Sequence, residues 1–219
     1  MSPTRARACS PPDEKSVVGG RLQSPARRDA LLDAAVALVR AEGVQAVSME
    51  AVAEHAGVSR PLVYKHFANR DELLAAAYQR EASTLHQDLA SAVASAASVE
   101  EMYRVLLLGS MRATLERGQT FAALRAAGRW NHDIRREQRV RDRETVRAFA
   151  GVAARQYGLE RKRATSVTAV VLGALEAVLA QWRVDPTQEQ AKILEETYLA
   201  MVVSAYSLHA GRLSRSGTV

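Results

Sequence analysis

SMEAVAEHAGVSRPLVYKHF, residues 48–67, holds two short helical patterns on either side of a compact Ala-Gly-Val-Ser turn. That layout suits a helix-turn-helix: a bracing helix, a glycine that lets the chain reverse tightly, and a second helix free to enter a DNA groove. Ser48 is the expected N-cap of a helix over 49–56, its hydroxyl accepting an otherwise orphaned backbone N–H. Gly57 ends that helix because glycine adopts the left-handed conformation without steric cost; Ala53, one turn earlier, is small enough for the second helix to cross closely. Ser59 is expected to cap the second helix, and Pro61 falls in its first turn, where its missing N–H has no partner to lose. Val52, Val58 and Val63 are expected to fill the space between the helices.

On the second helix, Leu62, Val63 and Phe67 form the expected inward face, while Arg60, Tyr64 and Lys65 can point out. Arg60, at the N-terminal end, can reach base edges, guanine best of all, and Tyr64, Lys65 and His66 can bond phosphate oxygens. Arg70 extends the positive rim. From these residues alone, an ordinary helical hairpin with a solvated basic face stays open.

The flanking sequence narrows the choice. Residues 30–43, ALLDAAVALVRAEG, followed by residues 47–74, VSMEAVAEHAGVSRPLVYKHFANRDELL, resemble the three-helix DNA-binding domain and the start of the fourth helix in the TetR family of bacterial transcriptional regulators. The resemblance implies an all-α chain with an N-terminal helix-turn-helix domain and a C-terminal helical ligand-binding and dimerisation domain. It implies DNA contacts from Ser48, Ser59, Arg60, Pro61, Leu62, Tyr64, Lys65, His66 and Arg70, with Arg60 and Pro61 nearest the bases. Leu62 stands where several relatives carry a small polar residue, which leaves it an apolar contact to a thymine methyl.

Composition agrees with that expectation. Thirty Lys and Arg against 24 Asp and Glu give a net charge of +6 and an isoelectric point near 9.8, which favours approach to a polyanion. The single cysteine, Cys9, excludes an intramolecular disulfide and suits a reducing compartment. The most apolar run, 167–182, is interrupted by Glu176 and Gln181, so neither a membrane span nor a signal peptide is expected and the cytoplasm is the natural setting.

Residues 1–23, rich in Ser, Pro, Gly and Arg, read as a disordered basic arm; Arg5, Arg7 and Arg21 could enter a minor groove, or the arm could simply solubilise the chain. The DNA-binding domain is expected over 24–70, the effector-binding and dimerisation domain over 71–211, and a tail over 212–219. Within these, Ser24-Pro25 opens a helix that ends at Gly43, and another is expected over 71–94 with Leu73, Leu74, Ala77, Leu85 and Leu89 on its buried side. Further helices are expected over 99–116, 120–127, 129–157, 160–183 and 186–210, punctuated by Gly118, Gly128, Gly158 and Asp185-Pro186. Residues 135–147 carry six Arg, two Glu and one Asp, a mixed-sign run that reads as a solvated helix face rather than a second DNA site.

Val167, Val171, Leu175, Val178 and Trp182, and then Ala191, Leu194, Tyr198, Met201 and Ala205, recur every three or four positions, as in two helices packed against another pair. In the TetR family such a pair forms a two-fold dimer, so Val167, Val171, Leu175, Val178, Leu194, Tyr198, Met201 and Ala205 are the expected interface. The same pattern is also that of helices packed into their own core. The family's effector pocket is expected to draw on Tyr103, Met111, Phe121, Trp130, His132 and Trp182, and to take a hydrophobic or amphipathic compound.

The expected function is therefore a ligand-responsive regulator, a repressor, that binds a near-palindromic double-stranded DNA operator as a homodimer and is released by a small-molecule effector. The rivals are an enzyme and a helical scaffold that kept the fold without operator binding. Neither HExxH, a P-loop, GxGxxG, GxSxG nor paired cysteines occur, and histidines 55, 66, 86, 132 and 209 lack metal-ligand spacing, so no catalytic residue, metal or cofactor is expected.

Overall fold

The computed structural model describes residues 24–128 and 132–210, and among these every regular element is helical. The order is α1 (Ser24–Glu42), a single 3-10 turn (Val44–Ala46), α2 (Met49–His55), α3 (Arg60–His66), α4 (Arg70–Ala94), α5 (Val99–Gly128), α6 (His132–Tyr157), α7 (Arg161–Val184) and α8 (Gln188–Ala210). The arm over 1–23 and the tail over 212–219 lie outside the described residues.

Local chemistry sets most of the boundaries. Asn69 caps α4 by accepting from the Glu72 N–H at 2.9 Å, and Glu72 returns the contact by accepting from the Ala68 N–H at 2.7 Å. Gly158, at φ 64°, closes α6, and the Leu159 N–H reaches back to the Ala154 carbonyl at 3.0 Å. After Asp185-Pro186, Thr187 accepts from the Gln190 N–H at 3.2 Å, so α8 begins later than its proline suggested.

One expected boundary is absent. The helices anticipated over 99–116 and 120–127 are one 30-residue helix, α5, running through Gly118. A glycine inside a helix costs only about 1 kcal/mol relative to alanine. Packing offsets this, because Thr120 and Leu124 on the far side of Gly118 are buried.

Two apolar cores result. The first joins Leu31, Leu32 and Ala35 of α1 with Val52 and Ala53 of α2, Val63 and Phe67 around α3, Leu73, Leu74 and Ala77 of α4, and Leu124 of α5. The reading head's core thus runs past residue 70 into the first turns of α4 and accepts a plug from the end of α5. The second core joins α5 to α8 around Tyr103, Leu107, Phe149, Val171, Trp182, Tyr198 and Tyr206. Inside it the Tyr206 hydroxyl bonds those of Tyr103 at 2.8 Å and Thr168 at 2.7 Å, while the Tyr198 hydroxyl donates to the Val171 carbonyl at 3.0 Å. Burial, foremost, pushes the Tyr103 and Tyr198 hydroxyls well above their ordinary range.

Candidate nucleic-acid interface

The two-helix unit is built as its sequence demands. The Ser48 hydroxyl accepts from the Ala51 N–H at 3.0 Å and starts α2. At its end, Gly57 takes φ 64°, its N–H reaches the Glu54 carbonyl at 3.1 Å, and the Val58 N–H reaches the Ala53 carbonyl at 2.9 Å. That pair of bonds closes the helix with a left-handed glycine and aims the chain into α3. Val52, Ala53 and Val63 are fully buried, and Phe67 is sealed beneath the Arg28 guanidinium, 4.9 Å from its ring centre.

This burial decides what α3 presents. With Val63 and Phe67 inside, Arg60, Pro61, Tyr64 and Lys65 are exposed, whereas Leu62 and His66 are half-buried. Tyr64 is 51% exposed, so its phenol stands free of the core and available to a phosphate. Ser59 occupies the N-cap position of α3, but its hydroxyl makes no capping bond, contrary to the expected cap. Arg60 lies 3.6 Å from Glu50 on α2; that carboxylate holds the guanidinium above the groove-facing end of the unit. Sequence reading had no use for Glu50, although its place one residue inside the α2 cap foreshadowed it.

Arg70 departs from the expected DNA-facing set. Its Nε donates to the Val47 carbonyl at 2.6 Å and its Nη2 to the Val44 carbonyl, with Asp71 3.8 Å away. The guanidinium is used to clamp the 3-10 turn onto the start of α4. The reason is local: the turn leaves carbonyls without helical partners, and a five-donor fork satisfies two of them.

The expected dimer residues are displaced by a change of face. Val167, Val171 and Tyr198 are buried in their own subunit's core, and Leu175, Val178, Leu194 and Ala205 are packed partly against it; Met201 alone is exposed. The outward faces carry instead Val170, Gly173, Ala177 and Val184 on α7 and Ile193, Ala200, Met201 and Leu208 on α8. α7 is long and apolar enough to cross a membrane by length and composition, yet only 17% of its most apolar window is buried in the subunit. Much of that apolarity is therefore left for another surface to cover.

The expected pocket residues also scatter. Tyr103, Met111 and Trp182 are core, Phe121 lines a cleft of about 420 Å³ between α4, α5 and α7, and Trp130 and the His132 side chain lie outside the described residues. A second cleft, of about 400 Å³ between α4, α5 and α6, contains none of them. No group of three or more metal-ligating side chains occurs among the described residues.

Comparison with known proteins bears on the N-terminal half in sequence and on the whole chain in fold. Residues 31–77 match the family described as bacterial regulatory proteins, tetR family. The HTH-type transcriptional regulator BetI of Rhizobium meliloti is 35% identical over 99 residues, covering 45% of this chain and 49% of BetI. The HTH-type transcriptional activator FasR of Mycolicibacterium smegmatis is 40% identical over 67 residues, 31% of each chain. The chain thus matches about half the length of BetI and less of FasR. A solved transcriptional regulator of the TetR/AcrR family from Thermobifida fusca superposes with a TM-score of 0.63 at 22% identity, over 83% of this chain and 98% of that one.

Proposed function

Because the chain belongs to the TetR family of bacterial regulatory proteins, we propose that it is a transcriptional repressor that binds a near-palindromic operator as a homodimer and leaves it when a small hydrophobic or amphipathic effector binds. The observation that carries this reading is the exposed face of α3. Arg60, Pro61, Tyr64 and Lys65 stand out from a unit whose opposite side is buried. Arg60 and Pro61 meet base edges, Leu62 a thymine methyl, and Ser48, Ser59, Tyr64, Lys65 and His66 the phosphates.

Two copies join through the outward faces of α7 and α8. Small residues there, Gly173, Ala177 and Ala200, allow close backbone approach, and Val170, Ile193 and Leu208 supply apolar area. The dimer spaces its two α3 helices about 34 Å apart, one turn of DNA. The setting is the cytoplasm, where an operator is found.

Release requires that the effector favour the wrong spacing; a coupling of about 1 to 3 kcal/mol alters operator affinity roughly 5- to 150-fold. Three joints carry that coupling between head and body. α4 is covalently continuous, Leu124 of α5 is buried in the head, and Glu81 lies within 4.0 Å of Arg40 on α1, Arg80 on α4 and Arg117 on α5. Arg80 also reaches Asp33 of α1 at 2.7 Å. These contacts support a body that moves the head as a unit.

The test is a gel-shift titration against the DNA flanking the chain's own coding region. The reading expects a sequence-selective, salt-dependent shift; equal binding to random duplex would end it. An enzyme or inert scaffold predicts that second outcome.

A further inference from the structure

We propose that the cleft between α4, α5 and α6 is the effector site, and that it selects an apolar compound bearing a cationic nitrogen, read by Glu144. This rests on the regulator reading above and assigns the chemistry of its effector. The walls are Leu89 and Val93 of α4, Met102 and Leu106 of α5, and Phe149 and Val152 of α6. A volume of about 400 Å³ falls in the range of small-molecule sites, which pair an apolar lining with a few polar groups. Ala90, Ala94 and Ala148 are exposed at its rim, and their short side chains leave the mouth open.

The polar lining decides the class. Thr145 already donates its hydroxyl to the Arg141 carbonyl at 3.0 Å, which leaves His86 and Glu144. Glu144 makes no hydrogen bond or ion pair among the described residues, and no lysine or arginine lines the cleft. The other clefts are balanced within themselves. The one between α4, α5 and α7 holds Glu176 and Arg183 paired at 3.0 Å, that between α4 and α5 sets Arg112 and Arg117 beside Asp88 and Glu116, and that between α1, α4 and α6 sets Arg28 and Arg136 beside Glu72 and Glu137. Only in the α4–α5–α6 cleft, among these, does a carboxylate await a partner.

A ligand carboxylate or phosphate entering there meets a like charge with no cation to offset it. A cationic nitrogen meets a carboxylate beside a low-dielectric wall, where the attraction is stronger than in water. Occupancy also bears on the head, since α4 forms one wall of the cleft and its first turns, through Leu73 and Leu74, lie in the reading head's core.

Isothermal titration calorimetry of the full chain with decyltrimethylammonium and with decanoate, each below its micelle threshold, tests this. The ammonium should bind and decanoate should bind at least about fivefold more weakly, a factor near the upper end of single exposed charge pairs. Glu144→Gln should remove most of that preference while leaving the thermal unfolding midpoint unchanged. Ala148→Trp should fill the mouth and abolish heat from both ligands, and Val152→Phe serves where the tryptophan variant fails to fold. Equal affinity for the two ligands, no binding of either, an undiminished preference in Glu144→Gln, or full binding with the mouth filled would each overturn the assignment. The gel shift without amphiphile is read separately. Selective operator binding alongside failed calorimetry defeats only the cleft assignment, whereas lost selectivity defeats the regulator itself.

Discussion

The α2–α3 unit and the α7–α8 pair are both two-helix elements with apolar residues every three or four positions, but they differ in how well their sequences specify a face. In α2–α3, residues with single structural uses fix the orientation: Ser48 caps, Gly57 turns, and Val52 and Val63 have one side left to fill. In α7–α8, periodicity is nearly all there is, and both sides of each helix are apolar. The subunit takes the bulky side, with Val171, Leu179, Trp182, Tyr198 and Tyr206 inward, and turns the small side out. Punctuation residues locate a face, whereas apolar spacing gives only a period.

The widest break in that comparison would come from a charge on the outward side. Val170→Asp, at a position 74% exposed, should leave the fold intact yet split the dimer and weaken operator binding about 10²- to 10⁴-fold through lost bivalency. Sedimentation velocity and gel shifts check this together. Val171→Ala, one residue away and buried, should instead cost about 2 kcal/mol of stability by leaving a cavity and keep the dimer. If Val170→Asp stayed dimeric, the outward faces would not be the interface.

Next in size is the inner side of the same pair. Tyr206→Phe removes the hydroxyl that joins Tyr103 on α5 to Thr168 on α7 and strands two buried groups, at a cost of about 1 to 3 kcal/mol in denaturant unfolding. The same burial has a pH consequence. Tyr103 and Tyr198 ionise less readily when folded than the roughly pH 10 of free tyrosine. A raised folded value means their contribution is complete below about pH 10 and is lost as pH rises beyond it. Unfolding midpoints measured across neutral and alkaline buffers should stay level on this account and then fall; a decline starting near neutrality would contradict it.

Within the reading head, the helix boundaries and the outward set on α3 were legible because each rests on a short-range rule: a cap, a left-handed glycine, an early proline. Arg70 and Glu50 were not, because their partners are set by the 3-10 turn and by the crossing of α2 over α3, which no local pattern encodes. The effector region was least legible. Aromatic residues attract attention in a sequence, but Tyr103 and Trp182 went to the core, while the open cleft is bordered by alanines. These roles separate in binding assays. Arg60→Ala should cost about 1 to 3 kcal/mol on the operator and relax preference at one position per half-site, while Lys65→Ala weakens all duplexes alike and lowers the salt slope by about one. Arg70→Ala should leave the salt slope unchanged and lower the melting temperature, because its loss frees the 3-10 turn. A salt slope that fell in Arg70→Ala as it does in Lys65→Ala would return that residue to the DNA.

Gly118 gives the smallest and most discriminating effect. A glycine ending a helix in the left-handed conformation resists alanine, since an added Cβ is strained there. A glycine inside a continuous helix gains from the same change by about 0.5 to 1 kcal/mol, because the unfolded chain loses freedom and the helix loses nothing. In α5 a Cβ at Gly118 would meet only the Thr114 Cγ2 at 3.6 Å, an ordinary contact, and no positive φ occurs there. Gly118→Ala should therefore raise the melting temperature by about 2 °C, at the few degrees per kcal/mol typical of this chain length. A fall would mean that α5 bends at Gly118 into the two helices its sequence suggests, and that Leu124 reaches the reading head on a hinged segment instead of on a rigid rod.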